Sequence, residues 1–169
     1  MQDKTICVML STYNGANYLT YQLDSILFQE NMNVELLIRD DGSTDNTLDI
    51  LNQYSARYDN VQVLKGNNVG FVRSFSILVV YANEHYDDDF FFAFADQDDI
   101  WYKDKLQNSY NWLDDQDNQF PNLYCSNSDI IDKDGVQCGY TFREPGLRLK
   151  KGNILAYSIL QGCSMVFNK

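Results

Sequence analysis

The chain has 169 residues, 44% of them hydrophobic and 14% aromatic, which suits one folded domain with a sizeable core and excludes a disordered chain. Its formal net charge of −11 and pI of about 4.3 argue against nucleic acid as a partner, because neutralising phosphates takes clustered Lys and Arg. A phosphate-bearing ligand would have to meet a metal ion or a local basic patch here.

Residues 6–10 are a short apolar run, expected as a buried strand, and they end in the polar turn Ser11-Thr12-Tyr13-Asn14-Gly15. A helix is expected over 17–28, where Leu19, Leu23, Ile26 and Leu27 share one face. A second strand, 34–38, runs into Asp40-Asp41-Gly42-Ser43-Thr44-Asp45; Thr44 or Asp45 can cap the next helix, with Leu48, Leu51 and Tyr54 at helical spacing. A third strand follows at 61–64, then the loop 66–70 and a helix over 71–83. The fourth strand is the Phe-rich run 90–95, which stops abruptly in Asp96, Asp98 and Asp99, and a helix is expected at 103–113.

Strand and helix thus alternate four times, the pattern of a Rossmann-like α/β fold with a mostly parallel sheet and crossover helices. After Pro121 the pattern changes. Residues 123–126 and 136–142 read as strands joined by the tight turn Asp132-Lys133-Asp134-Gly135. A basic segment with Arg143, Arg148, Lys150 and Lys151 follows, then a short helix at 153–160 and a last strand at 163–167. A solvated loop is the simplest reading of the basic segment; an anionic acceptor or a membrane surface is the alternative.

The four cysteines, Cys7, Cys125, Cys138 and Cys163, form no Cys-x-x-Cys pair, so reduced thiols are expected rather than disulfides or a zinc site. No apolar run approaches the ~18 residues of a membrane span and no stretch reads as a signal peptide.

Three strand ends carry polar clusters: 11–15, 40–45 and 96–99. In a doubly wound sheet these ends share one edge, where such folds bind ligands. Asp96 and Asp98, one residue apart at the end of a buried strand, can share a hard cation such as Mg²⁺ or Mn²⁺ that leaves positions free for substrate phosphates. The acid run 87–89 precedes its strand and belongs to the opposite edge. Asp114, Asp115 and Asp117 read as a helix-end surface, and His85 as a surface residue with no nucleophile motif beside it. An EF-hand fails at Ile100 and Trp101, and neither a P-loop nor a dinucleotide fingerprint is present. An apolar run before Asp-x-Asp also resembles the aspartyl phosphotransferases, kept as an alternative.

The motifs Ser11-Thr12-Tyr13-Asn14-Gly15, Asp40-Asp41-Gly-Ser-Thr-Asp, Asn68-x-Gly70, Ala95-Asp-Gln-Asp-Asp-Ile-Trp101 and Gln161-Gly-Cys-Ser-Met-Val-Phe-Asn168 resemble, in the same order, those of the family 2 glycosyltransferases. The likeness is strongest to bacterial rhamnosyltransferases and related polysaccharide enzymes. It implies a GT-A fold, a single domain with a nucleotide-sugar part (1–117) and the start of an acceptor-side part (118–169), and a divalent metal, Mn²⁺ or Mg²⁺. The implied activity is inverting transfer from a UDP- or dTDP-sugar to a saccharide or lipid-linked acceptor in surface polysaccharide synthesis. Ser11, Thr12, Tyr13 and Asp41 would hold the base and its neighbourhood, and Arg73 would lie near the nucleotide. Asp96 would face the ribose or sugar, Asp98 would bind the metal, and Gly162 and Cys163 would line the acceptor side. The family's general base lies downstream of the segment matching 162–168, so it is expected beyond Lys169, in a chain truncated at its C-terminus. A catalytically incomplete nucleotide-sugar-binding or scaffold domain is the competing expectation. The expected place is the cytoplasm, with the inner face of the membrane as an option through regions outside this sequence.

Overall fold

The computed structural model describes residues 5–87, 89–117, 119–141 and 161–169. Strands β1 (Thr5–Thr12), β2 (Asn33–Asp40), β3 (Val61–Lys65) and β4 (Phe91–Ala95) alternate with helices α1 (Leu19–Leu27), α2 (Thr47–Arg57), α3 (Phe71–His85) and α4 (Lys105–Asp114). Strands β5 (Leu123–Cys125), β6 (Asp129–Ile131), β7 (Gln137–Tyr140) and β8 (Met165–Asn168) follow. The main sheet has the order β3-β2-β1-β4-β8-β5. Its first four strands are parallel, and β8 runs antiparallel to both β4 and β5.

The period-2 alternation of the strands divides the core into two layers. Ile6, Val8 and Leu10 face one side with Leu36, Ile38, Ala93 and Ala95, where Leu23 and Ile26 of α1, Leu51 of α2 and Leu106 of α4 cover them. Cys7, Met9, Leu37 and Phe92 face the other side, under Leu78 and Ala82 of α3. Strands buried on both faces explain why the sequence runs are continuously apolar rather than alternating.

The strand order reverses between β1 and β4. The chain steps outward from β1 to β3, then returns to place β4 on the other flank of β1. Leu10 pairs with Ala95, and Thr12 with Asp40, so three polar strand ends emerge side by side at this switch point. The acids Asp87 and Asp89 lie before β4, at the opposite edge.

Beyond residue 117 the pairing departs from expectation. The hairpin is formed by β6 and β7, not by 123–126 and 136–142. The turn closes on the residues next to it, with Asp132 N donating to Val136 O at 2.9 Å and Gly135 at φ +79°, so its partner strand is the adjacent 129–131. The segment 123–125 instead joins the main sheet beside β8. The last strand begins at Met165 because Gly162–Ser164 forms a 3₁₀ turn, in which Ser164 returns both its N–H and its Oγ–H to Gln161 O. The expected helix at 153–160 and the basic segment of Arg143, Arg148, Lys150 and Lys151 lie outside the described residues. No helix among the described residues is long and apolar enough to cross a membrane.

Candidate functional site: a cleft at the switch point

A cleft of about 320 Å³ opens where β1, β2 and β4 end. Ser11, Thr12, Tyr13, Asp41, Asp96 and Asp98 all line it, so six of the nine residues singled out from sequence meet in one place. A second cavity of about 470 Å³ lies on the other side of the acidic turn, and it includes Asp98, Asp99, Trp101, Lys105 and Cys163. Asp98 lines both. Arg73 stands exposed in the first turn of α3, and Gly162 is exposed in the 3₁₀ turn; neither lines these two cavities.

The loops at the cleft are laced together by side chains. Asp40 shapes the β2 loop: its Oδ2 accepts the N–H groups of Gly42 and Ser43, and its Oδ1 accepts the Ser43 hydroxyl. Asn14, at φ 50°, takes a hydrogen bond from Thr44 N and gives its own N–H to Ser43 Oγ. The N-cap position of α2 is Asn46, not Thr44 or Asp45 as expected, though Asp45 just ahead of it accepts the N–H of Thr47 at 3.0 Å. Gly42 sits at φ +81°, and a Cβ there would lie 2.9 Å from the backbone N of Asn68, so only glycine lets these two loops approach.

Asp41 is buried, 3% exposed, and paired with a buried Arg39 at 2.5 Å. It also accepts the N–H groups of Val69 and Gly70, each at 2.9 Å. Burial pushes its carboxyl up, but Arg39 and the two N–H groups prevail and hold it below the usual carboxylate range.

Gln97, the residue between the two acids, is a second pin. Its Oε1 accepts both the Thr12 hydroxyl (2.8 Å) and Tyr13 N–H (2.9 Å), and its Nε2 reaches Tyr13 O. This fastens the acidic turn to the end of β1. A Cβ at Gly15 would come within 2.4 Å of Gln97 Oε1, so the turn glycine makes room for that amide.

Beside the pin, ligand atoms of Asp96, Asp99 and Cys163 lie within 4.8 Å of one another. Asp96 is exposed as a whole residue, yet its carboxyl is pushed up, first by lost hydration and then by Asp99 and Asp98. The Cys163 thiol is also pushed up, first by burial and then by Asp99 and Asp96, so it stays protonated. A protonated thiol is a poor ligand for a hard cation, whereas the paired carboxylates of Asp96 and Asp99 fit Mg²⁺ or Mn²⁺; Asp98, the ligand expected from sequence, lines the cleft beside this cluster rather than within it. Mutual repulsion among these acids is the field that a bound cation would relieve. Half-buried Lys105 adds one positive charge: its Nζ donates to Cys163 O and lies 3.5 Å from the centre of the Trp101 ring. Desolvation draws its pKa down to about 8, against the pull of Cys163, Asp99 and Asp96.

Sequence reading passed over Arg39, Gln97 and Lys105. Arg39 sits in a strand where a charged residue suggests solvent, and Gln97 reads as a spacer within Asp-x-Asp. Lys105 opens α4, where a lysine suggests solvent. No local signal marks them: Gln97 is defined by Thr12 and Tyr13, and although Arg39 and Lys105 have near neighbours in Asp41 and Trp101, their burial depends on Asn67, Ser74 and Cys163 far along the chain.

The family model for glycosyl transferase family 2 matches residues 7–165. A dTDP-rhamnosyl transferase, RfbG, of Shigella flexneri is 36% identical over 126 residues, 72% of this chain and 41% of that protein. An uncharacterized glycosyltransferase of Rickettsia felis is 28% identical over 167 residues, 95% of this chain and 26% of the relative. Among solved structures, S. aureus TarS in complex with UDP-GlcNAc is 29% identical with a TM-score of 0.52, over 66% of this chain and 31% of TarS. The mannosyltransferase PcManGT from Pyrobaculum calidifontis, solved with GDP-Man and Mn²⁺, has a TM-score of 0.55 at 21% identity, over 68% of this chain and 34% of that one, and so bears on the fold alone. The chain therefore spans less than half the length of each of these proteins. Parallel sheet, switch-point cleft and sequence agree: this chain has the GT-A fold and belongs to glycosyl transferase family 2.

Proposed function

We propose that the switch-point cleft binds a nucleoside-diphosphate sugar, a UDP- or dTDP-sugar, and that the whole protein transfers the sugar with inversion to a saccharide or lipid-linked acceptor in surface polysaccharide synthesis. The observation that carries this reading is the convergence of Thr12, Tyr13, Asp41, Asp96 and Asp98 on one cleft at the reversal of strand order. Residues 1–117 supply the donor side and 118–169 open the acceptor side.

Asp41, charged and fixed, offers the base an acceptor, and Tyr13, 44% exposed, presents a ring beside it. Ser11 and Thr12 line the same wall, and Arg73, exposed in the first turn of the neighbouring helix, would lie near the nucleotide. Asp98, with Asp96 and Asp99, would hold a divalent cation. When bound, that cation supplies Lewis-acid neutralisation of the diphosphate leaving group. It also reconciles a protein of net charge −11 with a polyanionic ligand. Gln97 keeps the acids in register with the end of β1, so metal and base are addressed by one rigid unit.

The larger cavity, with Trp101, Tyr102 and Tyr124 around Asp104 and Asp129, suits sugar rings and their hydroxyls, and Cys163 belongs to this acceptor side. The acceptor hydroxyl must lose a proton as it attacks. We assign that base to no described residue and infer, from the family resemblance, that it follows the segment matching 162–168. Action on lipid-linked acceptors would bring the protein to the inner face of the membrane from the cytoplasm.

Calorimetric titration of UDP and of dTDP, each with Mn²⁺ and with chelator, tests the donor site. We expect binding of at least one nucleotide, tightened about tenfold or more by the metal, the scale on which metal-site contacts act. Folded protein that binds neither nucleotide would overturn the reading.

A further inference from the structure

We propose that Arg39 is the positioning residue of the base site: its guanidinium holds Asp41 as a fixed, acceptor-only group and so makes the cleft favour bases that carry a ring N–H. This inference rests on the donor-site reading above and adds to it a residue and a selectivity.

The geometry is specific. Arg39 is 4% exposed, at the penultimate position of β2. One terminal nitrogen, Nη1, reaches Asp41 Oδ1 at 2.5 Å and Ser74 Oγ at 2.9 Å. The other, Nη2, donates to Asn67 O at 3.0 Å. Ser74 in turn accepts the Ser11 hydroxyl. One side chain thereby joins the end of β1, the loop after β3 and the first turns of α3, all of which wall the cleft. Gly66 is bare where the guanidinium passes: a Cβ there would lie 2.4 Å from Nη2.

Asp41 has three donors, Arg39 and Val69 on Oδ1 and Gly70 on Oδ2. An ionised carboxylate offers roughly four lone-pair sites. Oδ2 therefore keeps one acceptor site at the cleft wall, and an ionised Asp41 has no proton to give. Uracil, thymine and guanine present a ring N–H to such a group. Cytosine and adenine present a ring-nitrogen lone pair there, which an ionised oxygen repels. Were Asp41 neutral, its O–H could donate and this discrimination would fade. The other charged or titratable groups around Asp41 are its neighbour Asp40, Tyr13 from the end of β1, and Asp96 and Asp98 from the end of β4. Burial and the acids among them favour protonation of Asp41; the hydrogen bond from Arg39, the N–H groups of Val69 and Gly70 and the charge of Arg39 oppose it, and of these Arg39 is the one side chain that a substitution can remove.

The test is the ratio of UDP to CDP affinity, which cancels the shared ribose, diphosphate and metal contributions. It is measured by calorimetry with Mn²⁺ for the protein, Arg39→Met and Arg39→Lys, with melting curves to establish that each is folded. The protein should prefer UDP. Arg39→Met should lower the ratio by about tenfold or more, the scale of a charge-assisted hydrogen bond, and Arg39→Lys should restore part of it. The unsubstituted protein gives a reading that needs no variant: its ratio should stay constant from about pH 7.5 to about pH 6, because Asp41 remains ionised there. Equal loss of UDP and CDP in Arg39→Met would make Arg39 merely structural and overturn the inference. So would a ratio that falls with acid in the unsubstituted protein. Failure of the unsubstituted protein to bind either nucleotide would instead strike the donor-site reading itself, and the inference with it.

Discussion

Asp98→Asn is expected to weaken Mn²⁺-dependent nucleotide binding by about 100-fold or more, because replacing even an outer neighbour of a metal site costs about 10–100-fold and Asp98 would be a direct ligand. Nucleotide affinity measured with chelator should barely change. Stability should stay within about 0.5 kcal/mol, since Asp98 is exposed and such surface changes are usually small. The change also removes one of the acids that push Asp96 up, so any effect on stability should be favourable. Calorimetry with and without metal, beside a thermal melt, reads all three quantities. Loss of binding in chelator as well would place Asp98 on the nucleotide rather than on the metal. An aspartyl phosphotransferase, the alternative raised by the Asp-x-Asp pattern, would show a phosphate on Asp96 by mass; membership of family 2 leaves that alternative without support.

Asp41→Ala is expected to cost about 3–5 kcal/mol of folding stability, the penalty for leaving a buried charge without its partner. Arg39 would keep its charge at 4% exposure, and the N–H groups of Val69 and Gly70 would lose their acceptor. Urea unfolding of the protein and the variant measures the difference. Its pH dependence follows from the sign of the shift. The folded-state carboxyl lies below its unfolded value, so its contribution is complete above the unfolded pKa of about 3.9 and is lost as pH falls through the lower folded value. The gap between protein and variant should therefore be constant at neutral and mildly acidic pH and close only in strong acid. A gap below about 1 kcal/mol at pH 7 would mean that the pair behaves as an exposed one.

The parallel half of the fold was legible because burial on both faces leaves a simple trace: short apolar runs that end in polar turns, separated by helices with one apolar face. The three polar ends also announced a shared edge, and the cleft brings them together as that pattern implies. The second half was less legible. Strand β8 slots between β4 and β5 in an antiparallel sense, a pairing set by contacts across 70 or so residues rather than by a local signal. The hairpin was misplaced because the short strand 129–131 carries Asp129 and partly exposed isoleucines, a weak pattern beside the apolar 123–125. Within the site, the acids were visible and their supports were not. Arg39 owes its burial to Gly66, Asn67 and Ser74, and Gln97 owes its role to Thr12 and Tyr13; neither set is adjacent in sequence. Arg73 shows the converse: its place in the first turn of α3 was readable from the helical pattern, and there its side chain stands in solvent.

The central claim is that metal and nucleotide meet at the switch-point edge. Amide NMR spectra of the labelled protein, recorded with UDP or dTDP and Mg²⁺ and again with paramagnetic Mn²⁺, test it most directly. The account predicts nucleotide-induced shifts at Thr12, Tyr13, Asp41, Val69 and Gly70, and Mn²⁺ broadening centred on Asp96, Asp98 and Asp99 that extends to Cys163. Broadening centred on the opposite edge, around Asp87 and Asp89, or nucleotide shifts that spare Asp41, would contradict it.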